Sequence, residues 1–181
     1  YILENVQLNK RLKIAIDCGN AVGGLVAPEI FKKLGVNLVE IYCDVDPDFP
    51  NHHPDPTVPE NLEDIIRTVK SDSYDVGISF DGDADRIGII DDRGKIIWAD
   101  MLMALFLPEI IDGNDDILFD VKCSQALEDE IIRLGGNPVI WKTGHSLIKQ
   151  RMKELSCKFG GEMSGHLFFA DDYFGYDDAI Y

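Results

Sequence analysis

Three apolar runs of this chain end in aspartate, and that recurrence constrains the fold more than any other feature. Leu12 to Asp17, Val76 to Asp81 and Asp116 to Asp120 each read as a buried strand that delivers a carboxylate to a loop. The first is followed by a glycine-rich loop and a helical pattern that Gly35 stops. The third is followed by a helical pattern from Gln125 to Leu134, closed by Gly135-Gly136. Strands alternating with helices in this way read as α/β units. In open α/β sheets ligands gather at the carboxyl ends of strands, so loops after Asp17, Asp81 and Asp120 are the places to look for chemistry.

The most pointed of these loops is Asp81-Gly82-Asp83-Ala84-Asp85-Arg86, set between the apolar runs Val76–Phe80 and Ile87–Ile90. Alternate residues of extended backbone point the same way, so three carboxylates can converge. Unit charges about 4 Å apart repel by roughly 4 kcal/mol per pair at an effective dielectric of ~20. A cation among them removes that penalty. All-oxygen donors select a hard ion, Mg²⁺ or Ca²⁺, with Mn²⁺ as a further choice. A helix-flanked calcium loop needs glycine at its sixth position; here that position is Arg86, and strands flank the loop. Arg86 adds a fork-shaped donor suited to phosphate.

The remaining segments are read more plainly. Cys18-Gly19-Asn20-Ala21-Val22-Gly23-Gly24 lacks the spacing of either common nucleotide loop and is taken as a tight strand-to-helix turn. Five prolines fall between Asp44 and Pro59, around Asn51-His52-His53-Pro54-Asp55-Pro56. Adjacent histidines rarely converge on one ion, so this stretch is expected to be a structural loop. The pattern restarts at Asp100, which is placed to cap a helix through Phe106. The chain is therefore divided into two α/β domains, 1–99 and 100–181. A strand Pro138–Trp141 and a helix from Ser146 follow, then short strands near 158–160 and 167–169.

In the second half, Lys122 stands just past a strand end. His145 opens a helix, where free amides and the dipole favour anions. Glu162, Ser164 and His166 fall within five residues of one turn. A carboxylate beside a hydroxyl suits a polyol; Lys122, His145 and His166 can serve a phosphate.

Composition narrows the classes. The net charge of −16 argues against a nucleic-acid binder. No apolar run has the length of a membrane span. The cysteines Cys18, Cys43, Cys123 and Cys157 form no C-x-x-C pair, which fits reduced thiols in a cytoplasmic protein rather than a zinc site. The chain starts with Tyr1 rather than Met and stops at Tyr181 without an evident terminator, so a fragment of a longer protein is expected.

Taken in order, Asp17-Cys18-Gly19-Asn20, the segment Asn51–Pro56, Asp81–Arg86, Asp120–Cys123, Trp141–Ser146 and Gly161–His166 resemble the alpha-D-phosphohexomutases, specifically the bacterial phosphomannomutase/phosphoglucomutase group. They span nearly the whole chain. One departure is Ala84, where glycine is commonest. The resemblance implies two three-layer α/β domains with mixed sheets flanked by helices, the second and third of four. It implies Mg²⁺ held by Asp81, Asp83, Asp85 and a phosphoserine from the first domain, which is expected to lie outside this chain. Arg86 would support the transferring phosphate. Lys122, His145, Glu162, Ser164 and His166 would bind a phosphorylated hexose, with Glu162 and Ser164 on hydroxyls 3 and 4 and His166 as a catalytic proton donor. Those hydroxyls are alike in glucose and mannose, so both sugars are expected as substrates. The fragment alone is expected to be inactive and to bind Mg²⁺ weakly, needing the N- and C-terminal domains of its parent. Two competing readings are a non-catalytic metal- or phosphosugar-binding module and a D-x-D glycosyltransferase, which leaves Arg86 and Gly161–His166 unexplained.

Overall fold

A computed structural model describes all of residues 1–181. The chain forms two compact units, 1–97 with 179–181, and 98–178. The division falls just after Ile97, because the helix that opens the second unit already begins at Ala99.

The first unit begins with a short helix α1 (Ile2–Asn5). It then carries β1 (Lys13–Asp17), α2 (Ala27–Lys33), β2 (Asn37–Ile41), α3 (Glu63–Asp72), β3 (Val76–Phe80), β4 (Ile87–Asp91) and β5 (Ile96–Ile97). The sheet order is β2-β1-β3-β4-β5. β1 runs parallel to β2 and β3, whereas β3, β4 and β5 are joined antiparallel. Alternation along β1 sorts the core into two layers. Ile14 and Ile16 pack with Ala27 and Phe31 of α2. Ala15 joins Ile65 and Val69 of α3.

The second unit carries α4 (Ala99–Ile110), β6 (Asp116–Asp120), α5 (Gln125–Arg133), β7 (Asn137–Trp141), α6 (His145–Leu155), β8 (Phe159–Gly161) and β9 (Leu167–Phe169). Its sheet order is β7-β6-β8-β9. β6 runs parallel to β7 and β8, and β9 returns antiparallel to β8. Consecutive glycines let helices approach both faces of β8. A Cβ on Gly160 would lie 3.0 Å from the Met152 sulfur of α6, and one on Gly161 2.8 Å from the Met103 sulfur of α4. Both units are thus three-layer α/β structures with mixed sheets, as expected.

One local expectation is corrected. Asp100 does not cap α4; Trp98 occupies the cap, without a side-chain bond. Asp100 lies inside the first turn and is buried. Its carboxylate accepts from the Met101 amide at 2.8 Å and from the Ser124 amide at 3.0 Å. The long-range bond to Ser124, at the head of α5, draws it inward. All four cysteines are free thiols, with Cys18 and Cys43 sulfurs 3.4 Å apart. No helix is long and apolar enough to cross a membrane.

Candidate functional site

In the first unit the loop from β3 to β4 brings its three acids together. One oxygen each of Asp81, Asp83 and Asp85 lies within 4.8 Å of the others. Asp81 is buried, Asp85 half-buried and Asp83 exposed. Local bonds enforce this shape. Asp81 Oδ1 accepts the amides of Asp85 (3.0 Å) and Arg86 (3.1 Å). The Ala84 amide donates to the Asp81 carbonyl, and its φ of 60° turns the chain sharply. The Ala84 carbonyl accepts the Ala179 amide, which ties the last residues to this loop.

Arg86 is held by carboxylates. Its Nε donates to Asp81 Oδ2 at 2.7 Å, and a terminal nitrogen to Asp55 Oδ1 at 3.2 Å. Burial works against its charge. The hydrogen bond and charge of Asp81, with the charges of Asp55 and Asp85, outweigh burial and raise its pKa above the ordinary value. Burial alone would push Asp55 up, but bonds from Thr57 and the Arg86 charge hold it below the usual carboxylate range. Three carboxylates against one guanidinium leave an excess of negative charge, and the donors are all oxygen. That set fits a hard divalent cation such as Mg²⁺.

The proline-rich loop is structural, as expected, yet it also frames the site. His52 Nε2 lies 3.2 Å from both oxygens of buried Asp17. The Asp17 hydrogen bond raises the His52 pKa despite partial burial. Sequence reasoning misses two residues of this loop: Asp55, which holds Arg86, and His52. Their signal is present, since this stretch places histidines and an acid side by side.

In the second unit the loop from β8 to β9 is closed by the Glu162 amide donating to the His166 carbonyl at 2.9 Å. Glu162 is 2% exposed, and its Oε1 accepts the Gly144 amide at the head of α6. One carboxylate oxygen is therefore already engaged. Ser164 lies half-buried on the same turn. His145 and His166 stack with ring centroids 5.4 Å apart. Both face Asp177: His145 Nδ1 lies 3.3 Å and His166 Nδ1 3.1 Å from Asp177 Oδ2, and Lys149 Nζ donates to Oδ1 at 2.7 Å. Burial would raise the Asp177 pKa, but the Lys149 bond and the Lys149 and His166 charges hold it below the usual range. Lys122 is exposed just beyond β6, and no hydrogen bond or ion pair joins it to this group. Asp177 escapes sequence reasoning, because no recognisable pattern links it to His166, eleven residues earlier.

Both halves of the chain match known proteins. Residues 1–94 match the family model described as phosphoglucomutase/phosphomannomutase, alpha/beta/alpha domain II, and residues 98–181 match domain III of the same series. A phosphomannomutase/phosphoglucomutase of Pseudomonas aeruginosa is 49% identical over 99% of this chain and 39% of its own length. A phosphoglucomutase of Neisseria meningitidis is 44% identical over all of this chain and 40% of its own. A crystal structure of a phosphoglucomutase/phosphomannomutase family protein from Burkholderia thailandensis superposes with a TM-score of 0.96 at 44% identity, covering 99% of this chain and 40% of that one. The chain thus spans about two-fifths of the length of the curated relatives it matches. With one half matching domain II and the other domain III, the chain belongs to the phosphoglucomutase/phosphomannomutase family.

Proposed function

We propose that this chain is the metal-holding and sugar-holding part of a longer enzyme that interconverts hexose 1-phosphates and hexose 6-phosphates. The observation that carries the reading is the convergence of Asp81, Asp83 and Asp85 in a family member. Asp81, Asp83 and Asp85 would hold Mg²⁺, which when bound offsets negative charge on a phosphoryl group in transfer.

This chain's residues supply the rest by position and charge. Arg86 brings a fixed positive charge, kept protonated and oriented by Asp81 and Asp55, to the phosphoryl oxygens. Glu162 and Ser164 take sugar hydroxyls 3 and 4. Lys122, His145 and His166 line the phosphosugar. Asp177 stands 3.1 Å from His166 Nδ1 and orients the ring, so His166 is suited to exchange a proton with the substrate. The phosphoserine that donates the phosphoryl group belongs to the rest of the longer protein. Transfer breaks the serine O–P bond and forms one to a sugar hydroxyl, giving a hexose 1,6-bisphosphate. That intermediate returns its other phosphoryl group to the serine. The glycosyltransferase reading has no support in the family match of either half.

The test uses the full-length parent protein with glucose 1-phosphate and mannose 1-phosphate, with and without a chelator. Turnover of both sugars that stops on chelation is expected. Chelator-resistant turnover, or none with either sugar, would overturn the assignment; a several-hundred-fold preference would overturn the dual specificity. The 181-residue chain alone should show no turnover.

A further inference from the structure

Asp120 closes β6, is 1% exposed, and is not among the groups assigned to metal or sugar. Its carboxylate gathers three separate segments. Oδ2 accepts from the Thr143 hydroxyl at 2.9 Å. Oδ1 accepts from the Met163 amide at 3.2 Å and from the Cys123 thiol at 3.3 Å. The first two partners stand 23 and 43 residues further along the chain.

Their positions are informative. Thr143 immediately precedes Gly144, and Met163 immediately follows Glu162. Gly144 and Glu162 are themselves joined, amide to Oε1. Both sides of that contact are therefore pinned, one residue away, to a single carboxylate. Every partner of Asp120 is a donor, and an ionised carboxylate is the side chain that only accepts. No cation accompanies it. A buried charge bonded only to neutral donors is a poor way to stabilise a core, where an apolar residue of similar size would serve better. Holding loops in register is what such a group does well.

We infer that Asp120 is a positioning residue for the sugar loop, fixing the orientation of Glu162 by holding Thr143 and Met163 on one carboxylate. This rests on the reading of Glu162 as the acceptor of sugar hydroxyls. With the clasp open, the Glu162 carboxylate would be lost as a fixed acceptor while the groups serving phosphoryl transfer stay in place. Binding should therefore suffer more than chemistry.

The test has two arms. In the full-length protein, Asp120→Ala should raise KM for glucose 1-phosphate about 10-fold or more, with a smaller fall in kcat. Asp120→Asn should recover most of that loss, because Oδ1 still accepts and the amide can donate to the Thr143 oxygen. Thr143→Val, at an exposed position that tolerates the change, should raise KM about 3-fold. In the 181-residue chain, hydrogen exchange should quicken at the Gly144 and Met163 amides in Asp120→Ala, and at Gly144 in Thr143→Val. Amides of β1 should not change. If Asp120→Ala fails to fold, Thr143→Val decides. Unchanged exchange at Gly144 together with unchanged KM in Thr143→Val overturns the inference. If the parent turns over no hexose phosphate, the functional reading fails, and the exchange arm still decides whether Asp120 holds the loop.

Discussion

The loop carrying Asp81, Asp83 and Asp85 and the loop carrying Glu162, Ser164 and His166 occupy the same place in two sheets of the same plan. Each sheet sets a first strand between two parallel neighbours, β1 between β2 and β3, and β6 between β7 and β8. Each then turns back through an antiparallel hairpin, β3 to β4 and β8 to β9, and the loop is the tip of that hairpin. Each tip opens on a buried acid, Asp81 or Glu162, whose amide bonds back across the loop to the carbonyl of Arg86 or His166. The two tips differ in the side chains beyond that acid. In the proposed reading, the acids on alternate positions would hold a cation, and the hydroxyl and imidazole would hold a polyol. One scaffold position would then support two chemistries, chosen by three or four side chains.

If the loops divide the work in this way, their variants should fail differently. Asp81→Ala in the full-length protein should lower kcat about 10³-fold or more, since charge stabilisation in the transition state is lost. Glu162→Ala should chiefly raise KM, by about 10- to 100-fold, the value of a hydrogen bond to a charged group. Steady-state kinetics on both variants checks this. A kcat effect confined to Glu162→Ala, or equal effects from both, would break the division.

A second contrast concerns the aspartates that end the first strands. Asp17 grips an imidazole and the Gly19 amide, whereas Asp120 grips a hydroxyl, an amide and a thiol. Only the first clasp includes an imidazole. The His52 pKa is raised in the folded state by Asp17. Its contribution to stability is thus fully present below the unfolded histidine value of about 6.5 and fades as pH rises through the folded one. Asp177 behaves oppositely: its folded pKa is depressed, so its contribution holds above an unfolded value of about 3.9 and fades as pH falls through the folded one. Denaturant unfolding should therefore show the first unit weakening on the alkaline side relative to a His52→Gln variant, and the second unit weakening in acid. An NMR titration placing His52 at or below the ordinary histidine range would sink the first half of this.

Sequence patterns reached the strands because β1, β3 and β6 are apolar runs punctuated by aspartate, and reached the metal loop because its acids alternate. They did not reach the roles of Asp100, Asp120 and Asp177. Each of these carboxylates acts on a partner set by the path of the chain: Ser124 for Asp100, Thr143 and Met163 for Asp120, His145, Lys149 and His166 for Asp177. Such bonds leave no periodicity behind. Asp100 shows the consequence, since an acid before a helix reads as a cap whether or not it faces the helix end. His52 and Asp55 were visible as chemistry-bearing residues, but their targets, Asp17 and Arg86, stand 35 and 31 residues away.

Ala84 gives the smallest and sharpest test of how far the metal loop depends on its backbone. Its φ of 60° lies in the left-handed region, where a Cβ costs roughly 1–2 kcal/mol. Glycine would relieve that strain, which explains why glycine suits the position. Two terms oppose the gain. Glycine frees the unfolded chain, at about 0.4–1 kcal/mol. The Ala84 methyl is also buried, in the cluster of Ile16 and Phe80, and losing one such group costs about 0.8 kcal/mol. These effects nearly cancel, so Ala84→Gly should change the stability of the first unit by less than about 1 kcal/mol. The bonds that shape the loop come from the Asp85 and Arg86 amides to Asp81, and the substitution leaves those donors in place. Mg²⁺ affinity, followed by calorimetry on the 181-residue chain, should therefore stay within about 3-fold of the parent value, roughly 0.6 kcal/mol. A larger loss would mean that the methyl, packed where a Cβ on Gly23 would come within 3.3 Å of it, holds the acids together, and that the loop's bonds alone do not.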